Sequence, residues 1–149
     1  MTTTFQENKT CSVFLDTNVI IDALTMRDYD YLPSRQIWRH ILSGKVTGYI
    51  CSKQITDIYY IFRKYFNNES LIRQNIKNII DSFEVLSFTK GDALACLKSE
   101  MKDFEDAVLC EVAKINMIPL VITNNIAHFD GAKIMVLTPK QFLEMHSLE

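Results

Sequence analysis

Short apolar runs alternate with amphipathic helical stretches along almost the whole chain. "CSVFL" (11–15), "VTGYICS" (46–52), "EVLSF" (84–88), "IPLVIT" (118–123) and "AKIMVLT" (132–138) have the length and composition of strands. Between them, apolar residues recur at helical spacing. Residues 33–45 open on Pro33 and Ser34 and close at Gly44. Residues 53–66 carry Ile55, Ile58, Tyr59, Phe62 and Phe66 on one side, with Ser52 as the expected N-cap. Further helices are predicted over 69–83, 90–100 and 103–117, the last with Phe104, Ala107, Val108, Cys110, Val112 and Ile115 along its buried side. "NVIIDAL" after the first strand predicts a helical turn, and Thr138-Pro139 opens a short final helix. Strands alternating with helices in this way predict an α/β fold with a mostly parallel sheet.

At 149 residues the simplest organisation is one domain over 1–149, with a polar arm at 1–10 and a core over about 11–145. Only 4 Gly and 3 Pro argue against long linkers. A net charge of −2 gives no basic footprint for duplex DNA, although bound divalent cations would reverse the local field. Cys11, Cys51, Cys96 and Cys110 show no CxxC and no metal-ligand spacing, so reduced thiols in a cytoplasmic protein are expected. "MTTTFQENKT" is too polar for a signal peptide, and no apolar run approaches the roughly 20 residues of a membrane span.

The chemistry lies in the carboxylates. In "SVFLDTNVIID" an ionisable group, Asp16, stands at the tip of a buried strand, where an unpaired Asp is costly. Function in open α/β sheets sits at the carboxyl ends of the strands. Asp57 lies in the first turns of the helix after the second strand. Asp103 and Asp106, three apart at a helix start, share a face. "TNN", Thr123 to Asn125, ends another strand. Clustered carboxylates repel unless a cation sits among them, and Mg²⁺ or Mn²⁺ suits such oxygen donors. Such an ion can acidify water and neutralise charge on a phosphodiester. Each residue also has a plainer reading: Asp16 as a turn cap, Asp103 as an N-cap, Asp106 as a complement to the helix dipole, Asp57 as a solvated helix carboxylate, Asn125 as a turn residue. No HExxH, GxSxG or P-loop appears, and His40, His128 and His146 do not cluster in sequence.

"VFLDTNVIID", "SKQITDIYYIFRK", "DFEDAVLCEVAK" and "PLVITNNIAHFDGAKIMVLTPKQFL" resemble, in order and spacing, the motifs of PIN-domain proteins, which include VapC-type toxins of toxin–antitoxin pairs. The resemblance spans roughly Val13 to Leu143. It implies a three-layer α/β/α sandwich around a parallel sheet, and metal-dependent RNA cleavage by activated water. Carried over, Asp16 matches the first catalytic acid, a metal ligand, and Asn18 supports it in the same motif. Asp57 matches the second acidic position and Asp106 the third, giving Asp16, Asp57 and Asp106 as the implied metal ligands. Asp103 is the additional catalytic acid, and Thr123 and Asn125 support the site. The family's T-R-D or T-R-N followed by D-F is altered here to Thr123-Asn124-Asn125, with His128 where the motif has Asp. The resemblance further implies RNA as substrate, an antitoxin as partner, and a homodimer.

Two other functions remain open on sequence alone. The altered fourth position is compatible with a catalytically impaired PIN module that binds RNA or protein. "FLDTNV" also faintly echoes the D-x-D-x-T strand end of haloacid-dehalogenase-type phosphatases, with Asn18 in place of the second acid.

Overall fold

The computed structural model describes residues 10–27 and 30–148. Nearly all of the polar arm expected at 1–10 therefore lies outside the described residues. Strand β1 (Cys11–Leu15) occupies the middle of a five-stranded sheet. On one side it pairs with β2 (Val46–Cys51), which pairs with β3 (Glu84–Leu86); on the other it pairs with β4 (Leu120–Ile122), then β5 (Met135–Leu137). Every pairing is parallel and the order is β3-β2-β1-β4-β5. Helices α1 (Thr17–Thr25) and α2 (Tyr31–Leu42) connect β1 to β2. Helices α3 (Ser52–Tyr65) and α4 (Glu69–Ser82) lead to β3, and α5 (Lys90–Cys96) and α6 (Phe104–Ile115) lead to β4. A 3₁₀ turn (Ile126–Phe129) precedes β5, and α7 (Pro139–Met145) follows it.

Successive side chains of a strand point to opposite faces, and here both faces are covered. Val13 and Leu15 of β1, Val46 and Ile50 of β2, and Leu120 and Ile122 of β4 pack into one core with α1, α2, α3, α4 and α7. Phe14, Cys51 and Val121 point the other way, onto α6 and the end of α5. The result is the three-layer α/β/α sandwich. Full burial of Leu15 or Phe14 contributes roughly 2–3 kcal/mol each. Gly48 in β2 admits close packing from that first core: a Cβ there would lie 2.7 Å from Ile41 Cδ1 and 2.7 Å from Phe83 Cε1.

The strands β3, β4 and β5 span three residues each, shorter than the apolar runs that suggested them. One cap differs from expectation. Ser52 is the first residue of α3, and Cys51 is its N-cap. The Cys51 backbone N–H donates to Gln54 Oε1 at 2.7 Å, so the third helical residue closes the helix start.

The order of strands reverses beside β1: the chain moves outward through β2 and β3, then returns to β4 on β1's other side. A crevice opens at such a point, at the carboxyl ends of the two diverging strands. The residues that follow β1 and β4 are Asp16 and Thr123.

Candidate functional site

Asp16 holds the N-cap position of α1 with extended backbone angles, yet its side chain caps nothing. Oδ2 instead accepts a 2.8 Å hydrogen bond from Thr123 Oγ1, across the crevice between β1 and β4. That hydroxyl in turn accepts from the Asn125 backbone N–H at 3.0 Å. The Thr123 proton is therefore directed at Asp16 and the carboxylate is fixed in orientation. Asp16 is only 8% exposed and Thr123 is fully buried. Burial raises the Asp16 pKa, the Thr123 hydrogen bond lowers it in part, and the net shift is upward.

Asp103 is the N-cap of α6 and accepts from the Asp106 backbone N–H at 2.9 Å. Asp106, in the first turn, is half-buried. Its pKa is pushed up to about 6, first by burial and then by the negative charges of Asp16 and Asp103. His128, on the 3₁₀ turn after β4, acts in the opposite direction on both Asp106 and Asp16. Asp16, Asp103 and Asp106 thus share one field at the strand ends, with an imidazole where the resembled motif has a carboxylate.

Asp57 is placed differently. On α3 it pairs with Lys53 one turn earlier, at 3.1 Å, and its buried Oδ2 still lacks an aligned hydrogen-bond donor. Lys53 also reaches Glu105 at 3.3 Å, so this ammonium ties the start of α3 to the start of α6. Glu105 contributes to the field on Asp16 and Asp106. Sequence reasoning overlooked both Lys53 and Glu105. Glu105 stands between two acids already singled out, and its neighbourhood was the available signal.

The amide groups fill the remaining corners. Asn18 Oδ1 accepts from the Asn124 backbone N–H at 3.2 Å, which ties the loop after β4 to α1. Asn125 is exposed, and its backbone rather than its side chain supports Thr123. Gln54 donates to the Leu15 carbonyl at 2.9 Å and to Thr17 Oγ1 at 3.2 Å, bracing both sides of Asp16. The signal for Gln54 was its place at i, i+4, i+8 with Ile58 and Phe62, a polar residue on an apolar stripe.

Among the described residues no three His, Cys, Asp or Glu side chains converge closely enough to enclose a metal ion. Asp16, Asp57 and Asp106 are thus not gathered as a trio. The donor chemistry nevertheless fits a hard divalent cation. Asp16 and Asp106 are oxygen donors whose charges oppose each other, and Mg²⁺ is commonly held by one or two carboxylates with water and substrate phosphate.

A family model described as "PIN domain" matches residues 12–127, most of the chain. The chain belongs to the PIN-domain family. Ribonuclease VapC1 of Aquifex aeolicus (strain VF5) is 29% identical over 137 residues, covering 89% of this chain and 93% of that protein. Among solved structures, VapBC2 from Rickettsia felis bound to a promoter DNA fragment gives a TM-score of 0.63 at 15% identity, covering 85% of this chain and 96% of the other. FitAcB from Neisseria gonorrhoeae gives 0.65 at 16%, covering 86% and 98%. PAE2754 from Pyrobaculum aerophilum gives 0.61 at 14%, covering 96% and 94%. At these identities the structural matches establish the shared PIN fold.

Proposed function

We propose that this PIN-domain protein is a metal-dependent endoribonuclease that hydrolyses RNA phosphodiester bonds. The observation that carries the reading is the Asp16 carboxylate, withheld from helix capping and fixed by Thr123 beside Asp106 at the sheet's switch point. Asp16 and Asp106 would hold Mg²⁺ or Mn²⁺ as a pair; Asp57, the third carboxylate that the family pattern implies, is engaged by Lys53 and stands apart from them. A divalent ion bound there acidifies water and offsets negative charge on the phosphodiester. Thr123 orients Asp16, Asn125 holds the Thr123 hydroxyl, and Asn18 fixes the loop that carries both. Asp103 shapes the first turn of α6, which presents Asp106. Cleavage of a structured RNA with Mn²⁺, compared between wild type and Asp16→Asn, tests the assignment. Equal residual cleavage by both proteins would overturn it.

Two observations favour a second reading, a PIN module with little catalysis: the imidazole of His128 at the fourth corner and the engagement of Asp57 by Lys53. Metal titration calorimetry separates the two, since a vestigial site takes up no ion at millimolar concentration. The phosphatase alternative loses support, because the Asn18 side chain that replaces its second acid is bound to the Asn124 backbone.

The named relatives support a reading of the physiological role. One similar structure is a toxin–antitoxin complex from Klebsiella pneumoniae, and another relative is named as a VapC ribonuclease. By analogy, this chain acts in the cytoplasm as the toxin of such a pair and binds an antitoxin, itself assembling as a dimer. No helix among the described residues is long and apolar enough to cross a membrane. Growth arrest on overexpression, rescued by the adjacent open reading frame, is the expected outcome; unimpaired growth argues against a toxin.

A further inference from the structure

A polar pocket of about 340 Å³ opens beside the carboxylates, lined by Asn18, Asp22, Arg27, Asn124 and Asn125. It shares a wall with the Asp16 cradle. Asn18 lies two residues from Asp16, and the Asn125 backbone N–H donates to the hydroxyl that holds Asp16. The one carboxylate in the pocket is already satisfied. Asp22 is 3% exposed; Oδ1 accepts from Arg27 Nε at 2.5 Å and Oδ2 from Asn124 Nδ2 at 2.6 Å. Asn124 Nδ2 also contacts Ser34 Oγ at 3.2 Å, which anchors the relay to α2. Burial alone would lower the Arg27 pKa, but hydrogen bonds to Asp22 and Tyr65 raise it above its ordinary value. The guanidinium is therefore charged and held, while these bonds use only part of its five N–H donors. Asn18 and Asn125 add side-chain amides that donate to no acceptor among the described residues.

A donor-rich pocket built around a fixed guanidinium fits an anion with several oxygens. Arg binds phosphate through its planar fork, and a buried ion pair on one edge pre-organises that fork. We propose that this pocket binds a backbone phosphate of single-stranded RNA next to the bond being cut, with Arg27 as the phosphate-holding residue and Asp22 and Asn124 as its positioning residues. The inference rests on the ribonuclease reading and adds a substrate subsite to it. An acidic cluster alone repels RNA; on one flank the N–H donors of Arg27 that its pair with Asp22 leaves unused give a phosphate a fixed place to bind.

The test measures binding of a fluorescein-labelled 2′-O-methyl RNA hexamer to the full chain with Mn²⁺, by anisotropy over a range of NaCl concentrations. The hexamer's integrity is checked on a gel. Arg27→Ala should weaken binding about tenfold and reduce the slope of log K against log salt by about one. Arg27→Lys should recover only part of the loss, because it lacks the fork. Lys45→Ala removes an exposed cation at the start of β2, the opposite end of the sheet, and should stay within about twofold of wild type. If Arg27→Ala fails to fold with Asp22 left unpaired, Asp22→Asn is compared with Asp22→Asn/Arg27→Ala. The double variant should show the same further loss. Equal binding by those two, or by Arg27→Ala and Lys45→Ala, would reduce Arg27 to a counter-ion for Asp22 and overturn the subsite. The two readings fail separately. Arg27-dependent binding without RNA cleavage sinks the nuclease and keeps the subsite; cleavage with a KM unchanged in Arg27→Ala does the reverse.

Discussion

Asp16 sits where a helix start would normally claim its side chain, yet the Thr123 hydroxyl holds it instead. That bond decides how well a buried carboxylate can face an ion. Replacing Thr123 with Val keeps the volume and deletes the donor, whereas Ser keeps the donor. Groups that orient a metal ligand are typically worth about 10- to 100-fold in affinity. Mn²⁺ affinity measured by calorimetry should therefore fall by about that factor in Thr123→Val and stay within a few-fold of wild type in Thr123→Ser. Equal affinities for Val and wild type would show that Asp16 needs no orienting partner. Asp16 and Asp103 were legible in the sequence because local chemistry marks them: an acid at a strand tip, and an acid one residue before a helical pattern. The Arg27–Asp22–Asn124 relay was not. Asp22 and Asn124 are 102 residues apart, and only the β1–β4 pairing brings them together. Nor does spacing alone show that Lys53 engages Asp57 and reaches Glu105 on another helix.

The start of helix α3 is hydrogen-bonded to the sheet through Gln54. Gln54 accepts from the Cys51 N–H and donates to the Leu15 carbonyl, both buried groups. Gln54→Leu leaves these backbone groups without partners, each costing roughly 1–3 kcal/mol. Urea unfolding should show a loss of about 2–4 kcal/mol; a loss below about 0.5 kcal/mol would mean that water replaces the amide. Strand β2 meets its neighbours just as closely at Gly48. Gly48→Ala should cost about 1–3 kcal/mol through overpacking, and Ile41→Val in the same chain should restore part of it by removing the Cδ1 that the new methyl strikes. No recovery in the double variant would place the strain at Phe83 instead. Elements were legible where period and burial agree, as along the middle of α6, where Ala107, Val108, Cys110 and Val112 lie in the second core. Phe104 and Ile115, expected on the same buried side, are exposed at the helix's two ends, where the sheet no longer covers them. Their ends were less so. The Ser52 cap moved by one residue because Gln54, a long side chain on the apolar stripe, reaches back to the Cys51 N–H.

Across the whole molecule, the switch of strand order brings acids from separate segments together, and that convergence has a stability cost when no cation is bound. Asp106 has a pKa of about 6 in the fold against 3.8 as an unperturbed side chain. Between these values the folded state binds more protons than the unfolded state, so the Asp106 contribution to stability falls as pH rises through the window. A fully buried group with this shift would lose about 3 kcal/mol, and solvent screening at the half-buried Asp106 reduces that to on the order of 1 kcal/mol. Asp106→Asn mimics the protonated form at every pH. In the absence of divalent ions, urea unfolding should therefore give wild type and Asp106→Asn similar stabilities near pH 4, with wild type falling behind by on the order of 1 kcal/mol at pH 6.5. An ion that binds the folded state alone stabilises it by mass action and needs the carboxylate deprotonated. Millimolar Mn²⁺ should then reverse the order at pH 6.5 and leave it unchanged at pH 4. A difference between the two proteins that is flat across pH would mean that Asp106 does not share its field with Asp16. A pH-dependent difference that Mn²⁺ leaves untouched would mean that the acids meet without holding an ion.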